Sequence, residues 1–429
     1  MKAVAYGFIL FTYITGASGQ DTTWLRHTLN ILCSPSYEGR GYVKNGDKKA
    51  AAFIVKEFQK NGIQPFLPGY MQAFTLPVNT FPGKMAVRIG NKKLKPGIDY
   101  LVDPGCPSVS GSFHLLYIRS TEILTRDTLA SKLQSHPGSM LWIDDSRDSL
   151  FLKKERQMGN ELLSVLSGQP SAACRGVLVC RPGKLTWSVA GKLLPVPIIF
   201  IRAESCNGKA SSAVLHIKNR YIPDYNTRNV AGYIRGTKEP DSVLMLMAHY
   251  DHLGRMGRKT YFPGANDNAS GTAMVLDMAR YYSRPENAPR YTLVFLLVSS
   301  EEAGLVGSQY YAEHPLFPLG SIKFLLNIDM AGHGSDGITV VNGSEFKKQF
   351  EKLKEINQAH HYLSQVKTRG AACNSDHCPF YIKGVPCFFI YTMGGAPYYH
   401  DVYDCPETLP LKEYIPYFRL ITGFLNSLH

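Results

Sequence analysis

Three apolar segments in the second half of the chain constrain the fold most strongly. They are SVLMLMAHYD, YTLVFLLVSS and IKFLLNIDM, at residues 242–251, 291–300 and 322–330. Each has the length of a strand and is apolar almost throughout, as expected for strands that are buried on both faces of a parallel sheet. Helical patterns lie between them, at 270–282 and 306–314. This alternation predicts an α/β fold with a mostly parallel central sheet flanked by helices.

The rest of the chain divides into regions of different character. The segment AAAFIVKEFQKNGI predicts an amphipathic helix that ends at Asn61-Gly62, with a buried face formed by Ala52, Ile54, Val55, Phe58 and Ile63. Short β-like runs separated by Pro, Gly and Ser fill residues 105–222. We therefore expect a main domain formed by 20–104 together with 223–429, and a small β-rich insert at 105–222.

The N-terminus has the pattern of an export signal. A lysine at position 2 precedes a short apolar stretch and the small residues of TGASGQ, which predicts a signal peptide at 1–19. The apolar stretch is too short to span a membrane comfortably. We therefore expect an exported protein, periplasmic or secreted, without stable membrane insertion.

Charge and cysteine content narrow the possible partners. Lys and Arg total 47 against 34 Asp and Glu, a net charge of +13, but the basic residues are not clustered as in nucleic-acid-binding proteins. We therefore expect no nucleic-acid partner.

The nine cysteines are an odd number, so at least one has no partner within the chain. Cys373 and Cys378 are close enough to close a small loop, although buried free thiols are equally compatible with the sequence.

Acidic residues and histidines follow each of the three apolar segments. The relevant residues are His249 and Asp251, Glu301 and Glu302, and Asp329, with Asp267 in the loop PGANDNASG and His400 in GGAPYYHDVYD. Because the carboxyl ends of parallel strands meet at one edge of a sheet, these groups should converge in one crevice. Several carboxylates and two histidines without an evident basic partner would repel one another unless a cation were bound. Imidazole and carboxylate ligands suit zinc, and bridging carboxylates allow a pair of ions about 3.5 to 4 Å apart.

The spacing of these residues suggests different roles. His249 and Asp251 are two residues apart, so on an extended backbone both side chains lean the same way and Asp251 can brace the imidazole. The adjacent Glu301 and Glu302 should point in different directions, so that one binds metal and the other faces the cavity as a general base. His252 receives no role.

Several blocks of the sequence resemble peptidase family M28, the zinc aminopeptidases. They are NVAGYIRG, MAHYDHLG, GANDNASGTA, LLVSSEEAGLVGSQYY, LLNIDMAG, SDHCPFYIKGVP and YYHDVYDCPETL, in the order and spacing of the family. The resemblance covers about residues 223–425, and EGRGYVKNGDKKAAAFIVKEFQKNGI resembles the family's N-terminal helix. It implies a metallo-aminopeptidase that uses two zinc ions to remove N-terminal residues from peptide substrates.

The resemblance also assigns the ligands by position. His249, Asp267 and Asp329 would hold one zinc ion. Asp267 would bridge to a second zinc ion held by Glu302 and His400. In the same correspondence Glu301 would be the general base.

The remaining assignments are less specific. Asp251 would act as the partner of His249 behind the metal. Asp376 and Tyr399 are candidate substrate contacts, with structural hydrogen bonding and loop packing as the alternatives. The insert at 105–222 lies where many family members carry a protease-associated domain, and SMLWIDD, GVLVC and LPVPIIFI resemble its core strands.

Two alternatives accompany this interpretation. Glutaminyl cyclases resemble the same blocks but use a single zinc ion, with ligands equivalent to Asp267, Glu302 and His400. Tyr399 stands before His400 where cyclases usually have Trp, and the loop GANDNASG favours a peptidase. A non-catalytic binding ectodomain on the same fold would be expected to have lost ligands, and all of them are present here. The oligomeric state stays open.

Overall fold

The computed structural model describes residues 22–123, 126–145, 153–167, 174–206 and 210–428. The predicted signal peptide at 1–19 lies outside these ranges. Within them, no helix is both long and apolar enough to cross a membrane.

The strands are β1 (Gln64–Pro65), β2 (Met71–Thr80), β3 (Ala86–Ile89), β4 (Lys92–Leu94), β5 (Tyr100–Val102), β6 (Val109–Arg119), β7 (Ser139–Asp144), β8 (Cys174–Arg181), β9 (Ile198–Arg202), β10 (Ser212–Ile217), β11 (Arg220–Ile234), β12 (Glu239–His249), β13 (Arg255–Met256), β14 (Thr260–Tyr261), β15 (Tyr291–Val298), β16 (Ile322–Asp329), β17 (Ile338–Val341), β18 (Val366–Thr368) and β19 (Cys387–Thr392). The α-helices are α1 (Thr22–Leu32), α2 (Gly46–Lys60), α3 (Ser120–Ile123), α4 (Arg126–Ser135), α5 (Glu155–Ser167), α6 (Gly271–Tyr282), α7 (Val306–Glu313), α8 (Lys347–His360), α9 (His377–Ile382) and α10 (Tyr414–Ser427).

The main sheet has the strand order β1-β11-β15-β12-β16-β19-β17-β18, and β2 also pairs with β11. The three predicted strands, β12, β15 and β16, form its centre and run parallel with β19. The outer strands β11 and β17 pair antiparallel with β15 and β19. At the far edge, β18 pairs parallel with β17.

Helices cover both faces of this sheet, which confirms the predicted α/β architecture. Side chains of α1, α2, α6, α8 and α10 share one apolar core with the sheet, and side chains of α7 and α9 share another on the opposite face. Burial on both faces explains why the central strands are apolar throughout.

Helix α2 follows the predicted pattern with one difference. Ile54, Val55 and Phe58 are buried, and the helix ends before Gly62, whose φ is +65°. Ala52 is exposed instead of lying on the buried face. The 3.6-residue period aligns Ala50 and Ala51 with Ile54 and Val55, so it turns Ala52 toward solvent.

A second sheet has the order β4-β3-β10-β6-β7-β8-β9-β5. Strands β6 to β9 run parallel, and side chains of α3, α4 and α5 cover one of its faces. The sheet includes β3, β4 and β5, which precede the predicted boundary at residue 105. Strand β3 pairs with β10, a contact between distant parts of the chain that no local pattern could reveal.

The second sheet is packed against the main domain by a shared apolar core. Leu253, Met256 and Phe262, which follow β12, are buried in the same cluster as Trp142 and Trp187 of the second unit. The shared core places the second unit beside the carboxyl end of β12, where the candidate site lies.

Cys373 and Cys378, which are close in the sequence, form a disulfide.

Candidate metal centre

The predicted site residues lie on separate elements that meet at the carboxyl edge of the main sheet. His249 is the last residue of β12, and Asp329 is the last residue of β16. Glu301 and Glu302 follow β15, whose final residue is Val298. Asp267 lies in the short helical turn before α6, and His400 lies in the loop after β19. Because neighbouring parallel strands end at the same edge, residues distant in sequence converge there.

A first group of ligand atoms surrounds His249. Its Nε2 lies 3.4 Å from Oδ1 of Asp267 and 3.6 Å from Oδ2 of Asp329. One ligand atom from each of the three side chains lies within 4.8 Å of the others, and all three residues are buried. The arrangement fits three ligands of one metal ion.

A second group surrounds His400. Its Nε2 lies 3.2 Å from Oδ2 of Asp267 and 3.1 Å from Oε2 of Glu302. Asp267 therefore turns one carboxylate oxygen to each group. Oδ2 of Asp267 is buried and has no hydrogen bond of good geometry within the described residues. A buried carboxylate oxygen of this kind calls for a cation or another partner.

His252 is a member of the centre that the sequence analysis missed. It is fully buried, and its Nδ1 lies 2.8 Å from Oε1 of Glu302. His252, Asp267 and Glu302 also form a three-ligand group. In the sequence, the only indication of this role is that His252 directly follows His249 and Asp251. No local pattern indicates that its side chain contacts Glu302.

Asp251 lies behind His249, as its spacing predicts, but its contacts are more specific. Nδ1 of His249 lies 3.2 Å from the backbone carbonyl oxygen of Asp251 and 3.8 Å from its carboxylate. The carboxylate accepts hydrogen bonds from the backbone N–H groups of Glu301 and Glu302. Asp251 therefore fixes the turn that carries the acidic pair as well as the orientation of the imidazole.

Burial and charge interactions in the centre shift the pKa values of its members strongly. Burial acts to lower the pKa of His400, but the carboxylates of Glu302 and Asp267 outweigh it and raise the pKa to about 11. Burial raises the pKa of Asp251 to about 7. Burial, together with the nearby acids, raises the pKa of Glu301 well above its usual value. In the absence of a metal ion, protons thus balance part of the negative charge, and a divalent cation would replace them.

Two side chains outside the predicted set hold the loop that carries Asp267. Arg40 is fully buried and donates hydrogen bonds to the backbone oxygens of Tyr250, Pro263 and Gly264, at 2.8, 2.5 and 2.6 Å. The carboxylate of Asp404 accepts hydrogen bonds from the backbone N–H groups of Asn266 and Asp267, at 2.8 and 3.0 Å. A single arginine or aspartate in a loop gives no sequence signal for such a role.

Gly264 is required by the same loop. Its φ is +59°, and a Cβ atom at this position would lie 2.3 Å from Cδ2 of His252. Only glycine fits this combination of left-handed backbone and close packing against a ring.

A cavity of about 160 Å³ opens onto the first group of ligands. It is lined by His249, Asp267, Glu301, Asp329, Met330, Arg369, Asn374, Phe389, Tyr391 and Tyr399. The cavity therefore joins the metal-binding groups, the proposed general base and an apolar wall.

The two candidate substrate contacts are placed differently. Tyr399 lines the cavity, is 53% exposed, and stacks on the ring of His400 with 3.9 Å between ring centroids. Asp376 is fully buried behind the site, where its Oδ1 accepts a hydrogen bond from Ser308 at 2.5 Å. Burial and neighbouring acids raise the pKa of Asp376 to about 6, although the charge of His249 opposes them. Its surroundings indicate support of the site rather than contact with substrate.

Both the sequence and the fold resemble those of known proteins. Residues 229–424 match the sequence profile of peptidase family M28. The fold resembles that of BSAP, a zinc aminopeptidase from Bacillus subtilis, with a TM-score of 0.67 at 18% identity over 93% of each chain. It also resembles the peptidase M28 precursor from Shewanella amazonensis, with a TM-score of 0.63 at 15% identity over 96% of each chain. At these identities the likeness establishes a shared fold.

Curated relatives match shorter segments. Aminopeptidase YwaD of Bacillus subtilis is 26% identical over 235 residues, 52% of this chain and 49% of that protein. Leupeptin-inactivating enzyme 1 of Streptomyces exfoliatus is 34% identical over 161 residues, 37% of this chain and 34% of that enzyme. The chain thus spans half or less of the length of these relatives. The segment that matches the profile of peptidase family M28, residues 229–424, carries every predicted metal ligand.

Proposed function

We propose that this chain is a zinc-dependent aminopeptidase with two zinc ions in its active site. The observation that carries the proposal is the position of Asp267, whose two carboxylate oxygens face His249 at 3.4 Å and His400 at 3.2 Å. A carboxylate shared between two groups of ligands is the arrangement that a two-zinc site needs. His249, Asp267 and Asp329 would hold one ion, and Asp267, Glu302 and His400 the other.

Zinc bound there would acidify a water molecule and polarise the scissile carbonyl group. The residues of the chain would provide the proton transfers. Glu301 lines the cavity beside the first ligand group, and its carboxylate makes no hydrogen bond to another described side chain. It would therefore be free to accept a proton from the attacking water and to deliver it to the departing amine. Asp251 would hold the backbone of Glu301 in place, because the N–H group of Glu301 donates a hydrogen bond to the Asp251 carboxylate.

The size of the cavity supports removal of a single residue. Its volume of about 160 Å³ is below the roughly 300 to 1,000 Å³ of typical ligand pockets. Met330, Phe389 and Tyr391 form the apolar part of its lining, and Arg369 and Asn374 also line it. We therefore propose peptides with an apolar first residue as preferred substrates.

The glutaminyl cyclase alternative requires one zinc ion and has no support from the comparisons. Two members of the first ligand group, His249 and Asp329, would have no use in a single-zinc site built on Asp267, Glu302 and His400. Because both groups are complete, the peptidase explains more of the observed side chains.

The deciding experiment is mass spectrometry of a mixed peptide set incubated with the zinc-loaded protein. The set includes peptides that begin with Gln and copies with acetylated N-termini. We expect loss of whole N-terminal residues from the free peptides and no change in the acetylated ones. Loss of ammonia alone from the Gln peptides would identify a cyclase instead.

We also propose that the protein is exported, to the periplasm or the medium, on the basis of the pattern at residues 1–19. N-terminal sequencing of the mature protein after expression in a secreting host tests this proposal. A new N-terminus at residue 20 in the extracytoplasmic fraction is expected, and an intact residue 1 in the cytoplasm would contradict it.

A further inference from the structure

We propose that the second sheet unit completes the metal site, because the loop after its strand β8 positions His400. This inference rests on the proposed function, since it takes His400 as a zinc ligand. The loop comprises residues 182–197, between β8 and β9. Two of its residues, Lys184 and Trp187, contact the loop that carries His400.

The first contact fixes the imidazole ring itself. Nδ1 of His400 lies 2.7 Å from the backbone carbonyl oxygen of Trp187, and the N–H of Trp187 donates to the carbonyl oxygen of His400 at 3.4 Å. A carbonyl oxygen is only an acceptor, so Nδ1 must carry a hydrogen. When the imidazole is neutral, Nε2 is then the nitrogen with a free lone pair, and it is Nε2 that faces Asp267 and Glu302.

The second contact holds the backbone before His400 and the side chain that follows it. Nζ of Lys184 donates hydrogen bonds to the carbonyl oxygens of Pro397 and Tyr399, at 2.6 and 2.5 Å. It also lies 3.8 Å from a carboxylate oxygen of Asp401. One ammonium group therefore joins three residues of the loop that carries His400. Since this loop follows β19 without regular structure, such bonds determine where the ring lies.

The 182–197 loop can serve as a fixed support because it is itself anchored. Trp187 is 5% exposed, and its Nε1–H donates to the carbonyl oxygen of Val102 at 2.9 Å. Its ring stacks on Phe262 of the main domain, with 4.7 Å between centroids. The Trp187 carbonyl is thus held from both units. Lys184 and the Trp187 carbonyl are positioning groups, because they act on substrate only through His400.

The test is the substitution Lys184→Met in the full-length protein. It removes the ammonium donors and keeps most of the aliphatic part of the side chain. We expect zinc to bind about 10- to 100-fold more weakly at the site of His400 and Glu302, the range typical when a group behind a ligand is lost. Zinc at the site of His249 and Asp329 should be unchanged. Stepwise titration of the metal-free protein with zinc, against a competing chelator, measures both affinities without reference to activity.

Two further variants separate positioning from general damage. Lys192→Met changes another lysine of the same loop, which is exposed and has no side-chain partner among the described residues, and it should match the wild type. Lys184→Arg retains a cationic donor and should recover much of the lost affinity. At saturating zinc, Lys184→Met should lower kcat more than it raises KM, and the Tm of the metal-free protein should stay close to that of the wild type.

The outcomes distinguish the two proposals. A wild-type protein that binds two zinc ions and cleaves peptides, together with a Lys184→Met variant of unchanged zinc affinity and kcat, would overturn the positioning role alone. Equal weakening of both zinc sites, or a large fall in the Tm of the metal-free variant, would also overturn it, because the lysine would then act on the fold. A wild-type protein that binds no zinc and cleaves no peptide would instead overturn the proposed function.

Discussion

Replacement of Glu301 by glutamine is the most direct test of the chemistry. The substitution keeps the size and shape of the side chain and removes its ability to accept a proton. Glu301 lines the cavity but belongs to neither of the two groups of ligand atoms. We therefore expect the variant to bind zinc normally and to lose most of its turnover.

The expected magnitude follows from the role of the side chain. A positioned general base contributes about 10²- to 10⁴-fold to a reaction rate. A loss of about 10³-fold corresponds to about 4 kcal/mol of transition-state stabilisation. The substitution should not lower the free energy of unfolding. Burial and nearby acids raise the pKa of Glu301 well above its usual value, so its ionised form is unfavourable in the metal-free protein. A neutral glutamine removes that cost at neutral pH, where the carboxylate would be ionised in the unfolded chain.

The assay combines peptide turnover with metal analysis of the same sample. Glu313→Gln is the matched control, since Glu313 lies at the exposed end of α7, away from the cavity. The control should keep wild-type kcat, and both variants should keep the zinc content of the wild type. If Glu301→Gln retained turnover within tenfold of the wild type, the assignment of Glu301 as general base would be refuted. If it lost zinc, Glu301 would be a ligand.

Three further results are expected. Asp267→Asn should lose zinc from both sites, because the two carboxylate oxygens of Asp267 face both ligand groups. Elemental analysis after dialysis measures the zinc content, and loss of one ion alone would contradict the bridging role. Zinc binding at pH 7 should release protons, because nearby carboxylates raise the pKa of His400 to about 11 despite its burial. Titration calorimetry in buffers of different ionisation enthalpy measures the number of protons released, and no release would contradict the assignment of His400 as a ligand. Arg40→Met should lower the free energy of unfolding by about 3 kcal/mol or more, because it leaves three buried carbonyl oxygens without their donor, and urea denaturation followed by circular dichroism tests this. An unchanged midpoint would show that water replaces the guanidinium group.

Much of the main domain follows from local sequence patterns. The central strands β12, β15 and β16 were predictable because burial on both faces requires unbroken apolar runs of strand length. Their polar ends predicted a shared crevice, and the structure brings His249, Asp267 and Asp329 together there. The assigned roles of these side chains stay predictions until the variants are measured.

The second sheet was less accessible to the same reasoning. Strands β3 to β5 are short and precede the predicted boundary at residue 105. Nevertheless β3 pairs with β10 and β5 pairs with β9, both from the far end of the unit, while β4 pairs with β3. Such pairing depends on contacts between distant segments, which local periodicity does not record.

The sequence by itself determined the type of fold, the resemblance to a peptidase family and the chemical character of the site, because each depends on residue types at fixed local spacings. The tertiary structure alone decided which groups complete the site. His252 reaches Glu302, Arg40 and Asp404 hold the loop of Asp267, and the Trp187 carbonyl orients His400. These contacts join segments far apart in the chain, and several of them use backbone carbonyl groups, which every residue carries and no sequence pattern can mark.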